Sequence, residues 1–418
     1  MNDDIRLPKE RHPISTPETN IDQKPAGEGS EVDEHKLEQE FGPPPEEAPP
    51  TQSRTGKLLL LLPSFKRKNL KREHLIAAAV VAILIIVGLA SFLTLHFYQP
   101  KPVPVAVVKR AAPMIPATVP STLTGLPVAP NVNQRPVTAI IIENIDAARP
   151  QSGLDQAGVV FEALTEGGIT RFMALYQDTQ PSYIGPIRSL RPYYIEWALG
   201  FNAAIAHVGG SPQALSDVTV WTVKDLNEFY NGGSYERISS REAPHNVYTS
   251  IAKLNQLETN KGYTTSTYTG FVRKIAAPVK SPNVTSINMS FSSSDFAVAY
   301  AYNAKTNSYE RSEGGAQHME LNADGSQVQI APKVVIGMVV PYSTSSLDSS
   351  GAYYSVYNVI GSGPVYIFQD GTVETGTWTK SSDASQITFT NSSGQTIGLD
   401  PGQTWISILA SSQDLTYN

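Results

Sequence analysis

The strongest hydrophobic pattern in the chain is one long, uninterrupted apolar stretch. The segment LIAAAVVAILIIVGLASFLTLHF, residues 75–97, has 23 residues and contains no Asp, Glu, Lys or Arg. At ~1.5 Å rise per residue, a helix of this length crosses a ~30 Å hydrocarbon core. Buried helices of soluble domains are rarely apolar on every face, and signal peptides are shorter and begin nearer the N-terminus. The pattern therefore predicts one transmembrane helix.

Basic residues are concentrated on the N-terminal side of this stretch. The juxtamembrane segment, residues 54–74, holds seven Lys and Arg residues, whereas three follow within residues 98–110. Positively charged flanks stay on the cytoplasmic side of a membrane. We therefore expect a single-pass protein of the cell membrane, with a cytoplasmic N-terminus and extracellular C-terminal domains.

The polar segments on either side of the membrane region show no sustained apolar period. Residues 1–53 are rich in proline and contain five Lys and Arg against thirteen Asp and Glu, a composition typical of a disordered tail. Residues 98–134 are also rich in proline. They are predicted to form a semi-extended stalk that holds the folded part away from the membrane.

Residues 135–281 combine strand-like and helix-like patterns. The runs VTAIIIE, GVVFEAL and ITRFMALYQ predict strands, whereas PYYIEWALGF, SPQALSDV and SIAKLNQLETNKG predict helices. Ser211 and Ser250 stand at the N-cap positions of two of these helices, and Pro212 follows the first cap. The segment is therefore predicted to be an α/β domain.

Residues 282–418 consist of short strands separated by Gly, Asp and Asn. FAVAYAYN, AKTN and SYER follow one another in the order of a hairpin, and KVVIGMVV, PVYIFQDGTVETGTWTK and QTWISILA continue as strands. Taken together, the two segments predict an α+β fold. A layered sheet and helix sandwich domain precedes a β-rich C-terminal domain, and one transmembrane helix precedes both.

Composition excludes several classes of site. The 418 residues include no cysteine, which excludes disulfides, zinc thiolate sites and cysteine nucleophiles. The formal net charge is −6, without the basic excess that nucleic-acid binding requires. His207, His245 and His318 follow no known spacing of metal ligands. We expect no metal, no cofactor and no nucleic-acid partner.

Three arginines, Arg171, Arg188 and Arg191, lie in the otherwise apolar stretch GGITRFMALYQDTQPSYIGPIRSLRPYY. A guanidinium stays charged, so each needs a carboxylate, an anionic ligand or water. An internal arginine–carboxylate network is one interpretation, and a site for a bound carboxylate or phosphate is the other. The candidate counter-ions nearby in sequence are Glu143, Asp146, Glu162, Glu166, Glu196 and Glu242.

The segment HVGGSPQAL predicts a strand that ends at Gly209 and Gly210, followed by a helix that Ser211 caps. Backbone N–H groups at such a helix start can hold an anion, and an ordinary N-cap is the alternative. A serine nucleophile is a weaker interpretation. Pro212 removes an oxyanion-hole donor, and the second spaced glycine of a nucleophile elbow is lacking.

Two further features suit a hydrolase. Glu162 and Glu166 are close in sequence and are candidates for the acid and base of a glycosidase. His245, in REAPHNVYTS, is a candidate for assisting a reacting group. Neither feature completes a catalytic set, which favours a non-catalytic binding protein over an enzyme.

Several long blocks together resemble the YerB-like lipoprotein family of bacterial envelope proteins. They are RPVTAIIIENIDAARPQSGLDQAGVVFEALTEGGITRFMALYQ, IGPIRSLRPYYIEWAL, HVGGSPQAL and REAPHNVYTS, and GTVETGTWTK with IGLDPGQTWISIL is similar to the C-terminal domain of that family. The resemblance covers residues 135–409. It implies a compact fold of layered sheets and helices in an extracytoplasmic location. The family usually carries a lipidated cysteine after a signal peptide, and this chain has a transmembrane helix instead.

The family offers no established catalytic residues to carry over, so no catalytic residue is predicted. We expect an envelope binding or regulatory module that recognises an anionic group on a cell-wall polymer or on an envelope protein. The alternatives are a cell-wall hydrolase that uses Glu162 with Glu166 or His245, and a purely structural role for the whole set. The candidate ligand-binding residues are Glu143, Asn144, Arg149, Glu162, Glu166, Arg171, Arg188, Arg191, His207, Gly209, Gly210, Ser211, Arg241, His245 and Asn246.

Overall fold

The structure is a computed structural model that describes residues 72–98, 117–345 and 353–418. The chain divides into two compact units, Met1–Val107 and Val108–Asn418. The predictions for the acidic tail (residues 1–53), for nearly all of the juxtamembrane segment (residues 54–74) and for the first part of the stalk lie outside the described residues.

The first unit contains helix α1, Arg72–Phe97, which includes the whole predicted membrane segment. Its apolar side chains are exposed along the length of the helix. Length and composition make Leu75–Phe97 the one helical stretch of the described chain that is long and apolar enough to cross a membrane. The prediction of one apolar helix before the folded domains is confirmed.

The described residues of the second unit contain the α-helices α2 Pro192–Leu199, α3 Pro212–Val220, α4 Glu228–Asn231 and α5 Ile251–Lys261. The predicted caps are confirmed. The Ser211 hydroxyl accepts a hydrogen bond from Ala214 N at 3.3 Å, and the Ser250 hydroxyl accepts one from Lys253 N at 3.2 Å. Short 3₁₀ helices lie at Val132–Gln134, Asp146–Ala148, Leu154–Gln156, Glu166–Gly168, Gly232–Ser234, Ser294–Phe296 and Ser412–Asp414.

The strands divide into an earlier and a later group. The earlier strands are β1 Val119–Pro120, β2 Pro127–Val128, β3 Thr138–Glu143, β4 Val159–Leu164, β5 Thr170–Tyr176, β6 Ala204–Ala206, β7 Lys224–Asp225, β8 Glu236–Arg237 and β9 Val247–Tyr248. The later strands are β10 Ser286–Ser290, β11 Ala297–Asn303, β12 Ser308–Glu313, β13 Ala316–Gln317, β14 Met319–Leu321, β15 Gln327–Gln329, β16 Val334–Val339, β17 Tyr342–Thr344, β18 Ser355–Tyr357, β19 Gly361–Gln369, β20 Thr372–Lys380, β21 Thr388–Asn391, β22 Thr404–Leu409 and β23 Leu415–Tyr417.

Two sheets organise the second unit. The central sheet has ten strands in the order β21-β20-β19-β16-β22-β4-β5-β3-β6-β7, and the second sheet has five in the order β13-β12-β11-β10-β23. The central sheet is mixed: β22 runs parallel to β16 and β4, and β6 runs parallel to β3 and β7. The predicted hairpin is confirmed as the antiparallel pair of β11 and β12.

Successive side chains of the central sheet enter two cores on its opposite faces, as the period of two in a strand requires. On one face, Ile141 belongs to a core that includes Tyr194 and Trp197 of α2. On the other face, Ile140 belongs to a core that includes Tyr300 of the second sheet. The second unit is therefore layered as helix, central sheet and second sheet, which confirms the predicted α+β sandwich.

The central sheet takes strands from both predicted domains, residues 135–281 and residues 282–418. Strand β22 lies between β4 and β16, so that Ile406 pairs with Phe161 on one side and with Ile336 on the other. The two segments follow one another along the chain but share this sheet. The boundary near residue 281 stays a prediction about sequence order.

Candidate functional site

The site forms where strand β3 ends and strand β5 begins. These strands are antiparallel, and Glu143 stands opposite Arg171 in their register. The segment of residues 187–191 crosses this edge: Arg188 N donates to Ile141 O at 2.9 Å, and Leu190 N donates to Gly209 O at 3.0 Å. Backbone pairing therefore brings the predicted arginines to the Gly209–Ser211 turn.

Arg188 and His245 share one carboxylate. Glu143 Oε1 accepts a hydrogen bond from Arg188 Nε at 2.8 Å, and Glu143 Oε2 lies 2.8 Å from His245 Nδ1. The side chains of Arg188 and His245 are 24% and 20% exposed, so both reach solvent. Within the described chain, the two Nη atoms of Arg188 and the Nε2 atom of His245 have no hydrogen-bond partner. Two partly exposed side chains with unbonded nitrogens thus share one buried carboxylate.

Arg191 is paired with Glu166. Its Nε donates to Glu166 Oε1 at 2.5 Å, its Nη2 donates to Glu166 Oε2, and its Nη1 donates to Leu190 O at 2.7 Å. Burial acts to raise the pKa of Glu166, but the hydrogen bonds and charge of Arg191 outweigh it and lower that pKa below its ordinary value. This arginine is thus neutralised by the protein.

Arg171 is the arginine without a carboxylate. It is 7% exposed, its Nη1 donates to Ser189 O at 2.7 Å, and its buried Nε has no hydrogen-bond partner in the described structure. Burial, followed by the charge of Arg191, lowers its pKa to about 10. The guanidinium stays charged at neutral pH. The charge of Glu166 acts on it and raises its pKa, but Arg171 forms no ion pair within the described residues.

We call Glu143, Glu166, Arg171, Arg188, Arg191 and His245 the arginine site. Among the described residues its three arginines are matched by two carboxylates in ion pairs. A pocket of about 650 Å³ opens beside it, lined by Ala147, Ser240, Arg241, Glu242, Ala243, His245 and Leu321. Arg241 donates to the carbonyl oxygens of Ala147 at 2.8 Å and Pro150 at 2.7 Å, and so fixes one wall of this pocket.

The helix start at Gly209–Ser211 has few free donors. Gly209 N donates to Asn227 Oδ1, Ser211 N donates to Leu190 O, and Ala214 N donates to the Ser211 hydroxyl. His207 is fully buried, with its ring nitrogens 2.7 Å from Gly209 O and 2.8 Å from Asp225 Oδ1. The first observation matches an ordinary N-cap, and the second shows that the His207 ring is bonded inside the protein.

A second polar group, here called the core cluster, lies on the opposite face of the central sheet: Glu162, Arg311, Glu313 and His318. Arg311 and Glu162 are 0% exposed, and Arg311 Nη2 donates to both Glu162 oxygens, at 2.8 and 2.9 Å. Trp405 Nε1 donates to Glu162 Oε2 at 2.9 Å. Glu162 therefore has no access to a substrate. It is bonded to Arg311 in the core cluster, whereas Glu166 is paired with Arg191 in the arginine site, so the two proposed glycosidase carboxylates belong to different groups.

The remaining bonds of the core cluster are equally internal. Arg311 Nη1 donates to Glu313 Oε2 at 3.0 Å and to His318 Nδ1. Burial and the charges of Arg311 and Arg149 hold the pKa of His318 well below its ordinary value. The ring is neutral, and its Nε2 donates to Gln151 Oε1 at 3.0 Å.

Two predicted site residues, Asn144 and Arg149, contact the core cluster through Glu313. Asn144 Nδ2 donates to Glu313 Oε1 at 2.6 Å, and Arg149 Nη2 lies 3.2 Å from the same oxygen. Both residues thus tie the segment after β3 to the second sheet. The last candidate, Asn246, accepts a weak hydrogen bond from Arg237 at 3.4 Å beside His245.

Comparisons with known proteins cover both halves of the second unit. The family model described as "Protein of unknown function (DUF3048) N-terminal domain" matches residues 123–264, and the model of the corresponding C-terminal domain matches residues 287–406. The Bacillus subtilis (strain 168) protein named "Putative lipoprotein YerB" is 29% identical over 305 residues, which are 72% of this chain and 89% of that protein.

The chain belongs to the YerB-like family. A crystal structure of the YerB protein from Bacillus subtilis is similar, with a TM-score of 0.63 and 27% identity, over 72% of this chain and 99% of that chain. The YerB-like fold expected from the sequence blocks is therefore confirmed. The relationship supports association with the envelope and brings no specific activity.

The sequence analysis missed Arg311 and Glu313 as partners in this YerB-like fold. Their signal was present in SYERSE, where Tyr309, Arg311 and Glu313 occupy alternate positions of one strand. All three are buried, because side chains two residues apart lie on the same face of a sheet. A buried arginine in that register requires buried acids, and Glu162 is one of them.

Proposed function

We propose that the protein is a single-pass membrane protein whose extracellular part binds an anionic group at the arginine site. The ligand belongs to a cell-wall polymer or to an envelope protein. The apolar length of α1 supports anchoring, and the basic residues that precede it support a cytoplasmic N-terminus. Protease added to intact, wall-stripped cells then digests the C-terminal region. Survival of that region until the membrane is broken contradicts this orientation.

One observation carries the binding proposal: the arginine site holds three arginines and two paired carboxylates. Among the described residues Arg171 forms no ion pair with a carboxylate, and Arg188 uses its Nε alone for Glu143. Excess guanidinium charge costs free energy in a folded protein unless an anion or water accompanies it. The two free Nη groups of Arg188 have the geometry that binds carboxylate and phosphate in a bidentate manner.

Binding of defined polyanions to the full-length chain in detergent micelles tests this proposal. We expect wild type to bind polyphosphate and polygalacturonate, and Arg188→Ala to weaken both by about tenfold or more, since charge-assisted hydrogen bonds are lost. Arg188→Lys keeps the charge but loses the planar fork, and should recover only part of the affinity.

Lys280→Ala is the matched control, because Lys280 is an exposed cation outside the arginine site. It should leave binding unchanged. Equal affinity of wild type and Arg188→Ala contradicts the proposal. A large fall in melting temperature for Arg188→Ala favours a structural network instead.

A second candidate function is hydrolysis assisted by His245. Glu143 lies 2.8 Å from Nδ1 of the imidazole, and His245 lines an open pocket, which suits a general base held by a carboxylate. Release of soluble products from peptidoglycan by the wild-type chain, and loss of that release in His245→Ala, would support hydrolysis. No release from peptidoglycan over a long incubation would count against it.

A further inference from the structure

Two aromatic side chains project into solvent from helix α4. Phe229 is 65% exposed and Tyr230 is 81% exposed. Yet the turn that carries them is firmly held, because the buried Asn227 side chain accepts hydrogen bonds from Phe229 N at 3.2 Å and Gly209 N at 3.1 Å. Exposed aromatic residues on a well-anchored turn are typical of contact surfaces rather than of loose loops. We call Phe229 and Tyr230 the aromatic platform.

Contacts on one side connect the platform to Arg188. A Cβ atom at Gly209 would lie 2.8 Å from the Phe229 ring, so the ring lies directly against this glycine. The preceding residue, Val208, donates its N–H to Arg188 O at 3.1 Å. Phe229 thus contacts Gly209, and the adjacent Val208 is bonded to the backbone of Arg188.

Contacts on the other side connect the platform to His245. Glu228, at the start of α4, accepts hydrogen bonds from Arg237 Nη2 at 3.1 and 3.2 Å. Arg237 Nη1 reaches Asn246 Oδ1 at 3.4 Å, and Asn246 follows His245 in the chain. Glu143 in turn bonds both His245 and Arg188, so the two series of contacts meet at this carboxylate. The aromatic platform is therefore linked through contacts to both the Arg188 end and the His245 end of the arginine site.

We propose that the anionic ligand is a glycan whose sugar rings bear carboxylate or phosphate groups. A sugar ring packs its apolar C–H face on Phe229 and Tyr230, while an anionic substituent binds the free Nη groups of Arg188. This inference rests on the proposed function and adds the chemical class of the ligand.

A glycan suits the neighbouring pocket better than a protein partner does. Aromatic and aliphatic anchors of protein partners insert into well-packed apolar pockets. The pocket beside His245 combines the polar side chains of Ser240, Arg241 and Glu242 with small apolar ones such as Ala147 and Ala243. The polar groups satisfy the hydroxyls of a sugar, and the excess positive charge complements its anionic substituents.

Four probes separate the contributions of rings and charge for the full-length chain in detergent micelles. Oligogalacturonate carries sugar rings and carboxylates, polyphosphate carries charge alone, dextran carries rings alone, and poly-glutamate represents an acidic peptide. Dissociation constants are measured for wild type, for Tyr230→Ala and for Phe229→Ala combined with Tyr230→Ala. Ile275→Ala is the control, because Ile275 is an apolar side chain that is 90% exposed elsewhere in the chain.

We expect the double variant to bind oligogalacturonate about tenfold more weakly, as truncation of aromatic anchors does, and polyphosphate within about twofold of wild type. Tyr230→Ala, which removes the more exposed ring, should give part of the same loss and protects the test against misfolding of the double variant. Ile275→Ala should change neither affinity.

Unchanged oligogalacturonate binding in both platform variants overturns the inference. In that case, weaker polyanion binding by Arg188→Ala still supports the proposed function. Tighter binding of poly-glutamate than of oligogalacturonate also overturns it, in favour of a protein partner. If Arg188→Ala binds oligogalacturonate and polyphosphate as tightly as wild type does, the inference and the proposed function are both overturned.

Discussion

The core cluster and the arginine site use the same side-chain chemistry on opposite faces of one sheet. In both, an arginine and a glutamate are 2.8 Å apart. Arg311 is fully buried and both of its Nη atoms are bonded within the protein, whereas Arg188 is partly exposed and bonds through Nε alone. The buried Nε of Arg311 lacks a partner among the described residues, so exposure and the bonding of the Nη atoms, rather than residue type, distinguish this structural arginine from one available to a ligand.

The two regions also differ in the segments that they join. Arg311 pairs with a glutamate 149 residues away, and thereby connects the second sheet to the central sheet. The partners of Arg188 and Arg191 are 45 and 25 residues away, within the α/β segment. The core cluster connects the two sheets, whereas the arginine site joins segments at the strand ends of the central sheet.

Loss of Arg311 should have the largest effect on stability. Arg311→Met leaves Glu162 and Glu313 buried without their cation, which costs ~3–5 kcal/mol when one partner of a buried pair is removed. Chemical denaturation measures the free energy of unfolding. Arg188→Met is the matched comparison, and its expected cost is ~1 kcal/mol because the pair is partly solvated. Equal losses at the two positions would remove the distinction between the regions.

A buried carboxylate without an arginine provides the second test. Glu258 accepts a hydrogen bond from Thr138 at 2.7 Å, and its buried Oε2 has no hydrogen-bond partner within the described structure. Burial raises its pKa to about 7, despite the Thr138 hydrogen bond and the charge of Lys224. The folded state therefore holds a proton that the unfolded state releases near its ordinary pKa.

The sign of the pH dependence follows from that difference. The stabilising contribution is fully present below the unfolded pKa and is lost as pH rises toward about 7. The contribution of Glu258 to the free energy of unfolding should fall by up to ~3 kcal/mol between pH 4.5 and pH 8, since each pKa unit is worth ~1.4 kcal/mol. Glu258→Gln should flatten this dependence. An unchanged slope in the variant would assign the effect to other groups.

Gly209 provides a smaller effect that links stability to the aromatic platform. Its φ is +59°, in the left-handed region, and an added Cβ would meet the Phe229 ring at 2.8 Å. Gly209→Ala should cost ~1–2 kcal/mol from backbone strain and displacement of the ring. Gly232→Ala is the control, because nothing lies within 4 Å of its added Cβ. A Gly209→Ala variant as stable as that control would show that the contact is not firm.

Local features of the fold could be predicted from the sequence because their causes are local. Ser211 and Ser250 cap helices through hydrogen bonds to residues three positions ahead. The position of β22 between β4 and β16 could not be predicted, because pairing between Ile406 and Phe161 leaves no mark on nearby residues. A shared sheet is thus visible only in three dimensions.

The candidate site was predicted in a similar, partial way. The sequence identified Arg171, Arg188 and Arg191 as charges that need partners, and the structure brings them to one edge. Which arginine receives a carboxylate depends on strand register and on the path of residues 187–191, and neither follows from spacing. Glu162 shows the opposite case, since it was a site candidate by sequence and lies with Arg311 in the interior.

The most direct test of the account is a crystal structure of residues 108–418 with a bound galacturonate oligosaccharide. These residues form a compact unit of their own. We expect a sugar carboxylate within hydrogen-bonding distance of the Arg188 Nη atoms, and a sugar ring packed on Phe229 or Tyr230. A ligand bound elsewhere, with water alone on Arg188, would contradict it.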